Sequence, residues 1–187
     1  MILEGIVTTL NSDGSVNVAP MGPIVDPAMS SLQLRPFKSS RTYTNLKAHP
    51  EGVFHVVDDV LLLAKAAINR LESEPVTFSA KQIKGQVLED ACRWYEFRIE
   101  NFDDRNERTN LSAAIVSMGR LRDFFGFNRA KHAVLEAAIL ATRVHILPQN
   151  EIFSQLQPLR VMVEKTAGPA EQKAFELLES YVVETLQ

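Results

Sequence analysis

The sequence predicts an α+β protein: an antiparallel β-barrel over residues 1–125, then a small C-terminal helical subdomain over residues 126–187. Two observations predict this. Through the first two-thirds, short runs rich in β-branched and aromatic residues alternate with period two and are parted by turn clusters. From Asn128 the apolar period changes to 3.6.

Ile2–Leu10 reads as a first strand, closed by the turn cluster Asn11-Ser12-Asp13-Gly14. Ser15–Met21 returns as its hairpin partner and ends at Pro20, Gly22 and Pro23, because proline cannot donate to a ladder. Leu32–Arg35 and Gly52–Val57 are the third and fourth strands, with a short helix, Thr42–His49, between them. Asp58 or Asp59 caps a helix over Val60–Arg70. Pro75–Phe78 fits neither period well. Leu88–Phe102 and Thr109–Phe124 are long strands, joined by the charged tip Asp103–Arg108. Six or so strands linked mostly by hairpins suggest a closed or nearly closed barrel.

Asn128–Leu147 is an amphipathic helix stopped by Pro148. Arg129, Glu136 and Arg143 recur at seven-residue spacing along it and suggest a structural ion-pair network. A second helix, about 150–165, is expected to bend or break at Pro158. A third covers Ala170–Leu186, entered through Gly168 and Pro169.

Composition excludes several classes of function. The net charge is −3 with no basic block, which argues against a nucleic-acid surface. The longest apolar run, Val60–Ala67, is interrupted by Lys65 and falls far short of the roughly 20 residues of a membrane span. Met1–Gly5 does not resemble a signal peptide, so a cytoplasmic protein is expected. Cys92 is the single cysteine, so neither an internal disulfide nor a multi-cysteine metal site can form. His49, His55, His132 and His145 lack metal-ligand spacing, and no metal is expected. There is also no Gly-x-Ser-x-Gly elbow.

The segment Arg35–Leu46 carries the clearest ligand signal. Arg35, Ser39, Ser40, Arg41 and Thr42 gather cations and hydroxyls where a helix starts, with Asn45 one turn on. Charged donors, hydroxyls and free helix-end N–H groups are what hold a phosphate. A capped surface helix, with Thr42 as the cap, accounts for the same residues. Upstream, Asn17, Ala19, Pro20, Met21 and Gly22 form a strand end with small side chains, against which a flat ring can lie. A strand simply terminated by proline is the alternative there.

Taken in order, Asn17-x-Ala19-Pro20-x-Gly22, Arg35-Pro36-Phe37 and Arg41-Thr42-Tyr43-x-Asn45-Leu46 resemble the FMN-binding split-barrel superfamily. Within it, the chain looks like a domain-of-unknown-function family with a C-terminal helical part. The resemblance implies an antiparallel split β-barrel, FMN as cofactor and a homodimer. It implies that Asn17–Gly22 lies along the isoalloxazine and Ser39–Asn45 holds the 5′-phosphate. It supplies no substrate. A flavin-dependent oxidoreductase, using a nicotinamide cofactor or small-molecule substrate, is one expectation. A non-catalytic FMN or phosphorylated-ligand carrier or sensor is the other.

Overall fold

The structure is a computed structural model and describes residues 1–186. Its strands are β1 (Gly5–Leu10), β2 (Val16–Met21), β3 (Ile24–Val25), β4 (Ser31–Leu34), β5 (Glu51–Val56), β6 (Thr77–Ser79), β7 (Gln86–Leu88), β8 (Arg93–Asp103) and β9 (Asn110–Arg120). Its helices are α1 (Arg41–Ala48), α2 (Val60–Ala67), α3 (Arg129–Ala141), α4 (Gln149–Thr166) and α5 (Pro169–Leu186). Two compact units result. One comprises Met1–Val57 with Glu74–Phe124; the other comprises Asp58–Ser73 with the chain from Phe125 onward.

In the first unit, seven strands among the described residues form one antiparallel sheet in the order β2-β1-β5-β8-β9-β4-β3. Asn11–Ser15 makes the β1–β2 turn, where Gly14 takes φ 87°, a conformation that costs glycine little. Leu3 N–H donates to the Pro23 carbonyl at 3.1 Å and Val25 N–H to that of Met1 at 2.9 Å, so the segment leading into β1 also pairs with β3. That contact brings the curled sheet close to closure. Strand β3 has only two residues, too few for an alternating pattern to reveal it in the sequence.

Val7, Val25, Leu32, Leu34, Phe54, Tyr95, Phe97 and Leu111 fill the concave side, with Leu46 of α1 packed among them. Strand β8 buries its other face as well. Trp94 packs with Val53, Ile83 and Val87 under the β6–β7 hairpin. Glu96, fully buried there, accepts the backbone N–H groups of Lys81 at 2.7 Å and Gln82 at 2.6 Å. Gly119 lies opposite Trp94 on β9; a Cβ at that position would stand 2.6 Å from the indole. His55 is enclosed on β5. Its Nδ1 lies 3.2 Å from the Ile6 carbonyl, and its Nε2 accepts Leu88 N–H at 3.1 Å. The ring is therefore neutral, with its proton on Nδ1.

In the second unit, α2 contributes Val60, Leu63 and Ala64, and its C-cap Ile68, to a core shared with α3, α4 and α5. This explains why Asp58–Ser73, which precedes four strands in sequence, groups with the C-terminal helices. Asp59 is the α2 cap, accepting from Leu61 and Leu62 N–H. Helix α3 ends at Ala141, earlier than the periodicity predicts. Thr142 turns its hydroxyl onto the Ile139 carbonyl at 2.8 Å, and Arg143–Leu147 continues in turns. Helix α4 runs through Pro158 without interruption. Leu156 and Leu159, buried on either side, hold it against the core despite the missing N–H. Among the described residues Arg129, Glu136 and Arg143 form no ion pair. The cation of α3 that does is Lys131, 3.1 Å from Glu171. None of the described helices is long and apolar enough to cross a membrane.

Candidate functional site

The two sequence motifs meet in the first unit. Asn17 stands on β2 directly opposite Thr9 of β1. Its amide donates to Thr9 Oγ1 and to Thr42 Oγ1 of α1, both at 3.1 Å. Asn45, one turn along α1, donates to the same Thr9 oxygen at 3.1 Å and to Asn11 Oδ1 at 2.9 Å. Thr9, Thr42 and Asn45 are buried, so a polar knot ties the edge strand β2 to the start of α1. Thr9 and Asn11 carry no signal in the sequence, because a threonine in a strand and an asparagine in a turn are both commonplace.

Ser40, not Thr42, is the α1 cap: its hydroxyl accepts Tyr43 N–H at 3.2 Å and donates to the Phe37 carbonyl at 2.7 Å. Thr42 cannot serve, because it already lies inside α1, where its hydroxyl accepts from Asn17. With Tyr43 and Thr44 N–H engaged, the N–H groups of Arg41 and Thr42 remain as the helix-end donors, with no acceptor among the described residues. Ser39 and Arg41 are exposed. Arg41 is close enough to Asp13 to help lower its carboxyl pKa, a shift caused mainly by hydrogen bonds from the Ser15 hydroxyl and N–H. Ala19, Pro20, Met21 and Gly22 lie half-exposed on β2 and just beyond it. A Cβ at Gly22 would come within 2.6 Å of Glu4 Oε1, the end of a flexible side chain, and within 2.7 Å of Ile2 Cγ2.

Arg35 directly follows β4, and its Nε is shut off from water without a hydrogen-bond partner. Buried guanidinium nitrogens normally have one. The next residues are fixed by pairing: Pro36 accepts from the Thr109 N–H and hydroxyl, and Lys38 N–H donates to Glu107. The tip Asp103–Arg108 does more than cover a turn. Asp104 accepts from Tyr43 Oη at 2.9 Å and Lys47 Nζ at 3.1 Å, clasping α1 to the β8–β9 hairpin. Lys47 and then Tyr43 hold the Asp104 carboxyl below its usual range. The structure therefore joins Asn17 directly to Thr42 and, through Thr9 Oγ1, to Asn45. Ser39, Ser40 and Arg41 stand at the helix entrance, and Arg35 stands six residues before Arg41 at the close of β4. Among the described residues no cluster of His, Cys, Asp and Glu could hold a metal. An orphaned guanidinium nitrogen and two free helix-end N–H groups fit an anionic oxygen ligand such as the phosphate of FMN.

The curled antiparallel sheet with this strand-and-helix site is the FMN-binding split-barrel fold. An FMN-bound protein from Methanosarcina mazei matches with a TM-score of 0.83 and 25% identity, covering 96% of this chain and 94% of that one. The styrene monooxygenase flavin reductase of Pseudomonas putida S12 matches with TM-score 0.51 and 15% identity over 64% of this chain and 82% of its own. Flavoredoxin from Methanosarcina acetivorans gives 0.54 and 12% over 64% and 68%; these two show the fold alone. The chain belongs to the family described as protein of unknown function DUF447, whose N-terminal domain model matches residues 3–122 and whose second model matches residues 128–180. The Methanosarcina mazei protein is of the same family. No curated protein matches the sequence.

Proposed function

We propose that this chain binds FMN between β2 and the start of α1 and works as a flavin-dependent oxidoreductase. The observation that carries the reading is the buried Arg35 Nε without an acceptor. Leaving such a donor unpaired is costly, and a phosphate oxygen would relieve it. The FMN-bound relative, similar over nearly the whole chain, supports the same ligand. Arg35, Arg41, Ser39 and the N–H groups of Arg41 and Thr42 hold the phosphate, while Ser40 fixes the helix end that presents them. Asn17 and the backbone of Ala19, Pro20, Met21 and Gly22 lie along the ring, and Asn45 keeps α1 in register with them. FMN, when bound, supplies hydride or electron-pair transfer. The chain's own groups bind, orient and exclude water.

Mixing apoprotein with FMN tests the binding step. Quenched flavin fluorescence and a perturbed visible band are expected; free-flavin spectra at saturating protein would refute it. Anaerobic addition of NADH or NADPH to the loaded protein tests the redox step, with bleaching of the flavin band expected. The second reading, a non-catalytic carrier or sensor of FMN or another phosphorylated ligand, is favoured by the character of the site: amides, hydroxyls and guanidinium groups, which hold ligands rather than exchange protons. Absence of bleaching with either donor would favour it. A homodimer and a cytoplasmic setting complete the proposal. The dimer is supported by Phe125 and Phe127, exposed at 86% and 106%. A monomeric mass in light scattering would remove that part.

A further inference from the structure

Resting on the FMN reading, we propose that Thr9 and Asn11 are positioning residues that lock the ring end of the site to its phosphate end, and thereby set a preference for a phosphorylated flavin over its dephosphorylated form. Thr9 Oγ1 accepts from Asn17 of β2 and from Asn45 of α1, both at 3.1 Å. Asn17 spends its other N–H on Thr42, at 3.1 Å, and Asn45 spends its other on Asn11, at 2.9 Å. Both amides thus have their N–H groups committed within the protein. What they leave toward a ligand is the Thr42 hydroxyl proton and the side-chain carbonyls of Asn17 and Asn45, none of which has a partner among the described residues.

Thr9 is 3% exposed and both lone pairs of its oxygen are taken, so it acts through the amides and not on the ligand. Asn11 is fixed in turn, since its own Nδ2 donates to Ser15 Oγ at 2.9 Å within the β1–β2 turn. Thr9 Oγ1 therefore joins the direct Asn17–Thr42 bond in setting the spacing between β2 and the free N–H groups of α1, and it alone ties Asn45 to β2. A ligand gains from both ends at once only while that spacing holds. Releasing it leaves the β1–β2 ladder and the Asn17–Thr42 bond to hold the ring surface, while Asn45 loses its tie to β2 and the phosphate end blurs.

The test is Thr9→Val, which keeps the shape and removes the acceptor, compared with Thr9→Ser, which keeps the hydroxyl. FMN and riboflavin are titrated separately into each apoprotein well below its melting temperature. For Thr9→Val, FMN affinity should fall about tenfold or more, the scale of stranding buried amide donors, with a clearly smaller loss for riboflavin. Thr9→Ser should restore the FMN preference, which a merely volume-filling role would not require. Equal losses for the two flavins, or an unchanged preference, overturn the proposal. If Thr9→Val does not fold, Asn11→Ala gives the same measurement: a narrowed preference supports the lock and an unchanged one overturns it. Failure of the wild-type protein to bind FMN would strike the underlying reading instead.

Discussion

Arg35 has a buried Nε without a hydrogen-bond partner, so a contribution to folding and its proposed contribution to binding are separable. Replacing it with methionine removes a buried donor that has no partner, so the ligand-free protein should keep its stability or gain slightly. FMN affinity should fall by about 1.5–3 kcal/mol, the range for a hydrogen bond to a charged group, as read by fluorescence titration. A stability loss with unchanged affinity would make Arg35 structural. His55 behaves in the opposite way, since nothing about it is left open. Burial pushes its pKa from 6.5 down to about 4, and protonation would set a second N–H against that of Leu88. In the unfolded chain the ring takes up its proton near pH 6.5, so the unfolded state binds more protons between the two values. The stability tied to the neutral ring is complete above about pH 6.5 and is lost as pH falls toward 4, amounting to about 3 kcal/mol at 1.4 kcal/mol per pH decade. Urea midpoints measured across that window should fall with pH in the wild type and lose this slope in His55→Gln. The strand position of His55 among Phe54, Val56 and Val57 already points to a packed histidine in the sequence; the partner that decides its tautomer, Leu88, is 33 residues away and is not visible there.

Among the elements, α1 matters most to the site, and it is pinned at both ends. Ser40 caps its start, and Tyr43 with Lys47 ties it to Asp104. Ser40→Ala should cost about 1 kcal/mol in thermal unfolding, with weakened FMN binding because the helix end frays. An unaltered melting temperature would show the cap to be dispensable. A comparable fastening holds the loop between β6 and β7, whose N–H groups at Lys81 and Gln82 both rest on Glu96. Glu96→Gln keeps only one carbonyl acceptor, so amide exchange at those two positions should quicken while α1 stays protected. The sequence makes α1 and its polar entrance legible because cations, hydroxyls and an amphipathic turn coincide there. It conceals the choice of cap, since Ser40 and Thr42 are chemically alike and only the point at which the helix begins separates them. Elements of two or three residues, such as β3, β6 and β7, are below the length at which periodicity speaks. The apolar face of α2 announces burial without naming its partner, which is why its place beside α3 and α5 emerges only in three dimensions.

For the molecule as a whole, the proposed FMN binding links to unfolding through the first unit, which holds the residues assigned to it. FMN at 100 times its Kd should stabilise that unit by about 2.7 kcal/mol, and riboflavin at the same concentration by less. Equal shifts would remove the phosphate from the account. The burial of Trp94 also has an optical consequence. It is the protein's one tryptophan, enclosed with Val53, Ile83 and Val87 in the strand-rich unit, with Lys81 Nζ 5.7 Å from its ring centre. Indole emission therefore reports on the strand-rich unit, while the far-ultraviolet helix signal comes mostly from the other. A single chain thus carries two separate spectroscopic reporters. Whether their unfolding curves coincide will show if the two units melt as one cooperative body or as two.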